Sequence, residues 1–418
     1  MLRRLDAHRV WLGYQGVEAF AFGLAWTVAP VFFIRELDFS PLELVLAGTA
    51  LELAYFLFEI PTGIVADTYG RRLSVIIGTL GLGVGFVVTG LAGGVAVVLA
   101  AAAFMGFTWT FKSGAESAWI TDEVGVENSG REFQRGAQAA RLGALLGIGA
   151  AVGLALVDFR VPIVAGGVLL VLLAAALTLV MPETGFRSAR REDVSAVASM
   201  VGTARRGGGL IRSRPVLLLI VGISFFLGVS DEGFDRLWEA QFLLEVGVPG
   251  FAGLDQIVWF GVLAAGVIAL SIVVAQPLVP RFAAMGPERM ARSLQLFGAL
   301  QIVGLLAFAL AGSFVVAVVA FWGARLARSL AAPVHSTWLN ANVEDSSVRA
   351  TVLSMTNVFE SAGEWGGGPA LGGIGNVFGV RAALVGSALA LLPVLGLYGR
   401  ARRHHGLDPA VATEPAAV

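Results

Sequence analysis

The sequence has no cysteine, one lysine (Lys112) and few charges of either sign. Only 14% of its 418 residues are Asp, Glu, Lys or Arg, against about 25% in an ordinary soluble protein. The missing cysteine excludes disulfides, thiolate metal sites and cysteine nucleophiles. The shortage of charge argues against a soluble multidomain enzyme. There is no polar low-complexity tract and no G-X-Y period, which excludes disorder and collagen. The formal net charge is −1, and the arginines fall in short patches instead of on one basic face, so nucleic acid is not an expected partner. What the chain has in excess is apolar residues, 56%, and glycine, 54 residues, with a mean hydropathy of +0.79. Such a composition suits helices that pack closely inside lipid.

A hydrocarbon core about 30 Å thick takes roughly 20 helical residues per crossing. Apolar runs of that length occur twelve times, at 10–34, 42–66, 73–92, 95–119, 137–157, 161–181, 215–240, 256–279, 293–311, 314–334, 350–371 and 382–399. The first follows a short basic start and lacks a small-residue cleavage site, so it reads as a retained span and not a signal peptide. With both termini inside, 21 of the 29 basic residues fall in inner segments, three (Arg35, Arg160, Arg381) in outer loops and five (Lys112, Arg141, Arg236, Arg325, Arg328) within spans. Basic loops tend to stay cytoplasmic. The expectation is a multi-pass protein of the cell (inner) membrane with both termini in the cytoplasm. Residues 182–214 hold seven arginines. They divide the chain into an N-terminal six-helix half (1–181), a cytoplasmic basic linker (182–214), a C-terminal six-helix half (215–403) and a disordered tail (404–418).

The halves echo one another. Trp119 and Trp338, each inside a similar pentapeptide, lie 219 positions apart; Pro61 and Gly70 match Pro277 and Gly286 at 216; Phe104-Met-Gly matches Phe321-Trp-Gly at 217. An even number of spans per half makes these parallel repeats, related by an axis along the membrane normal. The predicted fold is an all-α polytopic membrane protein, twelve transmembrane helices in two pseudo-symmetric halves around a central cavity. One more echo, Gly16-Val-Glu18 against Gly233-Phe-Asp235, is set aside because depths reckoned from the span ends differ by roughly ten residues.

Between the second and third runs the chain reads Pro61-Thr-Gly63-Ile-Val-Ala-Asp67-Thr-Tyr-Gly70-Arg71-Arg72. This loop resembles the G-x-x-x-D-x-x-G-R-R/K signature of the major facilitator superfamily, matched at Gly63, Asp67, Gly70, Arg71 and Arg72, and the twelve-span plan extends the resemblance over almost the whole chain. The resemblance implies a secondary transporter in which this loop is a conformational latch on the cytoplasmic side, not a substrate site. Physically, Gly63 would permit close helix approach and Gly70 a tight turn, while Asp67 could accept hydrogen bonds at a helix N-terminus. The second-half counterpart keeps Gly286 but has Ala283 where Asp67 stands, so any latch there is weaker. The stretches Phe58-Glu59-Ile-Pro-Thr-Gly63 and Asp231-Glu232-Gly-Phe-Asp235-Arg236-Leu-Trp238 look like the macrolide and tetracycline efflux branch, which implies proton antiport. In the fifth run, Gly143, Gly147, Gly149 and Gly153 favour close packing.

An ionisable residue near the middle of a span costs about 2.5 to 3.5 kcal/mol on insertion scales, so the charges left inside the spans are the candidate site. Glu18, Lys112, Glu116 and Arg141 are expected to form a network that changes partners during transport, with Lys112 and Glu116 paired at i, i+4. In the seventh span Asp231, Asp235 and Glu239 form one acidic stripe, with Glu232 paired to Arg236. They fall in the outer third, either as a proton or cation site or as a solvated rim. Arg325 and Arg328 are expected to neutralise Glu360 and Glu364. Glu52 is central in the second span, and Glu59 precedes the latch. A carboxylate in an apolar cavity takes up a proton more readily than one in water, which makes Glu18 and Glu52 the proton-carrier candidates. Phe22, Trp26, Phe107, Trp109, Trp238 and Trp259 are candidate cavity walls, and the lone internal His335 reads as packing.

The leading function is proton-coupled efflux of amphiphilic drugs or metabolites by alternating access. The expected partners are a small-molecule substrate, protons and membrane lipids, for a monomer with no catalytic residues, metal or cofactor. Without an ATP-binding loop, coupling must use an ion gradient or the substrate's own. The alternatives are an importer or facilitator of a small polar metabolite and, more remotely, a membrane-embedded enzyme. No H-E-x-x-H, aspartate-rich or nucleotide-binding motif supports the enzyme.

Overall fold

A computed structural model describes residues 5–186, 215–250, 255–342 and 346–405, and every regular element among them is helical. Eleven of the helical stretches are long and apolar enough to cross a membrane: Ala7–Arg35, Pro41–Tyr69, Arg71–Gly90, Val95–Val124, Val126–Ala155, Arg160–Val180, Leu217–Val246, Ile257–Ala283, Pro287–Ala309, Phe314–Ala341 and Val380–Arg402. Helix Ser346–Phe378 has the length, 33 residues. It is rich in glycine and carries two glutamates, yet it takes the eleventh place in a twelve-helix plan. Most of the expected linker, 187–214, and the tail from 406 lie outside the described residues. The last helix continues through His405.

The spans differ from the apolar runs mainly at their ends and in their interruptions. The fifth span begins at Val126 instead of near 137, because a helix once nucleated continues through polar residues that can face water. Pro41 at the first helical position and a reciprocal Ser40–Glu43 capping box start the second span. The fourth is broken between Lys112 and Ala115, where Ser113 leaves the helical region with ψ 124° and Gly114 has φ 71°. A side chain at that φ is strained, so glycine is what allows the turn. The seventh and eighth spans each contain a π-helical segment, Gln241–Val246 and Ser271–Ala275. Such segments leave a helix locally wider and are common near functional sites.

By its contacts the chain forms two compact units, one from the described residues of Met1–Val197 and Arg236–Ile268, the other from those of Ala198–Asp235 and Ala269–Val418. In the first unit the first span packs on the fifth and sixth, the second on the fourth, and the third on the fourth and sixth. The second unit repeats the pattern: the tenth packs on the eighth and ninth, and the ninth on the twelfth. Glycines carry further contacts, the seventh span against the eleventh and twelfth.

Lipid tails give helices little hydrophobic reason to associate, so close backbone approach has to supply the contact. A Cβ on Gly143 would stand 2.1 Å from the Gly16 carbonyl oxygen, and one on Gly147 2.3 Å from that of Phe20. In the second unit a Cβ on Gly228 would meet the Glu360 oxygen at 2.0 Å, and one on Gly363 that of Phe225 at 2.1 Å. Two of the four glycines singled out in the fifth span do not behave this way: a Cβ on Gly149 or Gly153 would meet no described atom within 4 Å. Gly143→Val is therefore expected to lower the thermal unfolding midpoint in detergent, by the equivalent of about 1–3 kcal/mol for overpacking. Gly149→Ala should leave that midpoint unchanged, and equal midpoints for the two variants would contradict the packing argument.

Candidate functional site

In the first unit a lysine and two glutamates meet beside the break in the fourth span. The Lys112 ammonium donates to Glu18 Oε2 at 2.8 Å and lies 3.3 Å from Glu116 Oε2. Lys112 is 4% exposed and Glu18 8%. The Tyr14 hydroxyl stands 2.6 Å from Glu116 and 3.2 Å from Glu18, so it touches both carboxylates. The rings of Trp109 and Tyr14 sit 5.3 and 5.7 Å from the ammonium, within reach of a cation–π attraction. The expected Lys112–Glu116 pair forms, although it spans a helix break and not one continuous face. Arg141 is exposed on the fifth span, while the ammonium at the centre of the buried cluster is that of Lys112.

At the same break, Ser113 hydrogen-bonds to the Tyr55 hydroxyl at 2.8 Å and donates to Glu59 Oε1 at 3.2 Å. The second Glu59 oxygen is buried without a hydrogen-bond partner. Glu52 lies 3.9 Å from Arg236 Nη2, where the sequence suggests Glu232 as the partner of that arginine. Phe22 packs edge-on against Trp109 and Phe86, and Trp26 against Phe86. These aromatics form one cluster beside the lysine.

The signature segment is mostly not a loop. The second span continues to Tyr69 and the third starts at Arg71, which leaves Gly70 alone between them with φ 127°. Gly63 lies inside the second span, and a Cβ there would meet no described atom within 4 Å, so the expected close approach is not made. Asp67 caps no helix start either. It sits on the last turn of its helix, 3.6 Å from Arg71. Arg71 Nε donates to Asp122 at 2.6 Å, and Glu183 accepts from the Arg72 backbone N–H at 2.9 Å. Arg72 also donates to the Thr178 carbonyl. The segment is thus tied to the ends of the fourth and sixth spans. Glu123 adds to this by accepting from the Thr184 hydroxyl and the Gly185 N–H, both at 2.8 Å.

In the second unit the acids and bases of the seventh and tenth spans pair with each other. Arg325 reaches Asp235 at 2.5 Å; Arg328 reaches Asp235 at 2.8 Å and Asp231 at 3.0 Å. Arg325 also stacks over Phe234, 4.4 Å from the ring centre. The aspartates of the seventh span are thus partners of Arg325 and Arg328, and Glu360 stays close enough to act electrostatically on Arg328, as expected. The expected solvated rim is corrected, because Asp231, Glu232 and Glu239 are buried. Depth reckoned along one helix takes no account of neighbouring helices, and those neighbours supply the burial.

Lys112 and Arg328 are 216 positions apart, and Glu18 and Asp235 are 217, the spacing of the other echoes. The echo set aside on span depth therefore holds in the packing: each repeat places an acid on its first span against a base on its fourth. Sequence reasoning missed the hydroxyl partners Tyr14, Tyr55 and Ser113 and the carboxylates Asp122, Glu123 and Glu183. It also missed His8, whose Nδ1 lies 2.5 Å from Glu132, and the bond of 2.6 Å between Tyr398 and His335. A polar residue inside an apolar run was the available signal for the tyrosines; nothing local marked the carboxylates at the span ends.

Breaking a buried ion pair by removing one partner costs about 3–5 kcal/mol, because the other charge is stranded, whereas removing both is much milder. Lys112→Met alone is expected to lower the unfolding midpoint more than the double variant Glu18→Gln with Lys112→Met. Additive losses in a double-mutant cycle would mean that the two side chains do not interact.

A sequence profile of the Major Facilitator Superfamily matches residues 12–364. The uncharacterized MFS-type transporter YxaM of Bacillus subtilis (strain 168) is 21% identical over 238 residues, which is 57% of this chain, and the chain spans 59% of that relative's length. Among solved structures, a mutant form of the nucleoside transporter NupG has a TM-score of 0.77 at 13% identity, covering 95% of this chain and 100% of its own. A bacterial homolog of the human lysosomal transporter Spinster, inward-facing and unoccupied, has 0.70 at 18% identity over 95% and 96% of the two chains. A mutant form of the peptide transporter POT in complex with sulfate has 0.70 at 18% identity over 95% of each. At these identities the structural likeness is one of fold, and it agrees with the profile and with the paired six-span pattern. The chain belongs to the Major Facilitator Superfamily, a superfamily of multi-pass membrane transporters.

Proposed function

We propose that the protein is a secondary transporter of the cell membrane that exports amphiphilic drugs or metabolites in exchange for protons, with both termini in the cytoplasm. The observation that carries this reading is the buried Glu18–Lys112–Glu116 cluster with Tyr14. Two carboxylates compete for one ammonium, so a proton added to either releases Lys112 to the other. Protonation thereby becomes a change of partners across the break in the fourth span, a place where a helix can bend with little cost. Asp231 and Asp235 share Arg328 in the same manner in the second unit. Two proton-responsive ion-pair clusters, one per repeat, suit alternating access, in which each state must satisfy its buried charges differently. In this reading the contacts of Asp67, Arg71, Arg72, Asp122 and Glu183 hold one state closed on the cytoplasmic side.

A second reading, import or facilitated passage of a small polar metabolite, is favoured by the substrates of two structural neighbours, a nucleoside transporter and a peptide transporter. Everted membrane vesicles separate the two. Energised vesicles holding the protein are expected to accumulate a cationic dye, a tetracycline or a macrolide, and to lose it on addition of a protonophore. Glu18→Gln should reduce gradient-driven accumulation at least about tenfold, one pH unit of driving force or 1.4 kcal/mol, while substrate exchange down its own gradient continues. Full gradient-driven accumulation by Glu18→Gln would remove Glu18 as the proton carrier. Absence of any energy-dependent movement of the three compounds would favour the metabolite reading.

A further inference from the structure

The Tyr14 oxygen touches both glutamates of the buried cluster, 2.6 Å from Glu116 Oε2 and 3.2 Å from Glu18 Oε1. Both carboxylates also face the Lys112 ammonium, through Glu18 Oε2 at 2.8 Å and Glu116 Oε2 at 3.3 Å. Their access to water differs: the Glu18 side chain is 10% exposed and that of Glu116 25%. Tyr14 and Glu18 lie one turn apart on the first span, and Lys112 and Glu116 stand on the two sides of the break in the fourth.

A hydroxyl has one proton to donate and lone pairs with which to accept, whereas an ionised carboxylate only accepts. With both glutamates ionised, Tyr14 can donate to Glu116, but its contact with Glu18 then brings two oxygens together with no hydrogen between them. The charges point the same way. One ammonium faces two carboxylates, and an unbalanced charge out of water is costly. A single added proton removes both faults. It sits either on Glu18 Oε1, which donates to the Tyr14 oxygen while the hydroxyl donates to Glu116, or on Glu116 Oε2, with both hydrogen bonds reversed.

We infer that Tyr14 is a proton relay between the buried Glu18 and the more exposed Glu116. The relay rests on the reading of this cluster as a proton exchanger and supplies its route. In the step, the O–H bond of protonated Glu18 breaks and its proton joins the Tyr14 oxygen, while the Tyr14 O–H bond breaks and its proton joins Glu116. The tyrosine ends neutral, the negative charge passes from Glu116 to Glu18, and Lys112 follows it across the break.

Infrared difference spectra of the full chain in lipid nanodiscs, without gradient or substrate, test the shared proton. Glu18→Gln and Glu116→Gln are each expected to lose the same protonated-carboxyl band, because the remaining carboxylate then balances Lys112 alone. Tyr14→Phe, which keeps the ring beside the ammonium, is expected to shift that band. Thermal unfolding verifies that each variant is folded; if Tyr14→Phe is not, Tyr14→Gln takes its place, and its two amide donors should abolish the band. No such band, a band lost in one glutamate variant only, or a band that the Tyr14 variant leaves unmoved overturns the relay. In everted vesicles Tyr14→Phe should cut gradient-driven accumulation of a tetracycline at least about tenfold. Full accumulation by Tyr14→Phe where Glu18→Gln is uncoupled overturns the relay alone. A shared band with no gradient-driven movement by the wild-type chain supports the shared proton and overturns the exchange reading instead.

Discussion

A charge inside hydrocarbon must be paired or surrounded by polar groups, and most of what is distinctive in this protein follows from that constraint. It accounts for the basic residues that lie outside the apolar runs, near their ends, between them or at the termini, which are all but five of the 29. It also makes the few that remain inside diagnostic. Lys112 is held by two carboxylates and two rings, and Arg328 by two aspartates. A buried pair contributes little to net stability once desolvation is counted. Its occurrence in both repeats is more readily understood as a device with two arrangements than as a staple.

The glycines answer the complementary problem of association in a solvent as apolar as the helices themselves. Where Gly143 meets Gly16 and Gly228 meets Glu360, the backbones approach until no Cβ fits. Such contacts are rigid, because nothing in them can rotate or yield. The fourth span behaves differently. Gly114 takes up a positive φ and interrupts the helix between Lys112 and Glu116, so the charged cluster sits at the interruption. In the proton exchange proposed above, stiff glycine contacts around this break would let a change of partner at Lys112 move one helix segment against the other.

Much of the fold was legible from the sequence for a simple reason. Length and apolarity set membrane spans residue by residue, and an offset near 216 is visible without any structure. Lys112 and Glu116 were also legible as a pair, since i, i+4 spacing places them together even across a break. The pairing of Arg325 and Arg328 was not legible. Acids of the seventh and of the eleventh span were both plausible partners, and only the packing brings Asp231 and Asp235 into contact with these arginines while Glu360 stays near Arg328. Gly63 shows the reverse case: a motif position suggested a close contact, and its actual neighbourhood is open.

Composition and spacing set the order of the long apolar runs along the chain and point to the family that the profile match shows. These are one-dimensional properties, readable along the chain. Packing in three dimensions was needed to establish which charges meet, that Glu18 and Asp235 occupy equivalent places, that the signature segment shrinks to a single glycine, and that Tyr14 touches both Glu18 and Glu116. Each of these rests on contacts between helices distant in sequence, where an approach of a few ångströms, not a spacing along the chain, sets the chemistry.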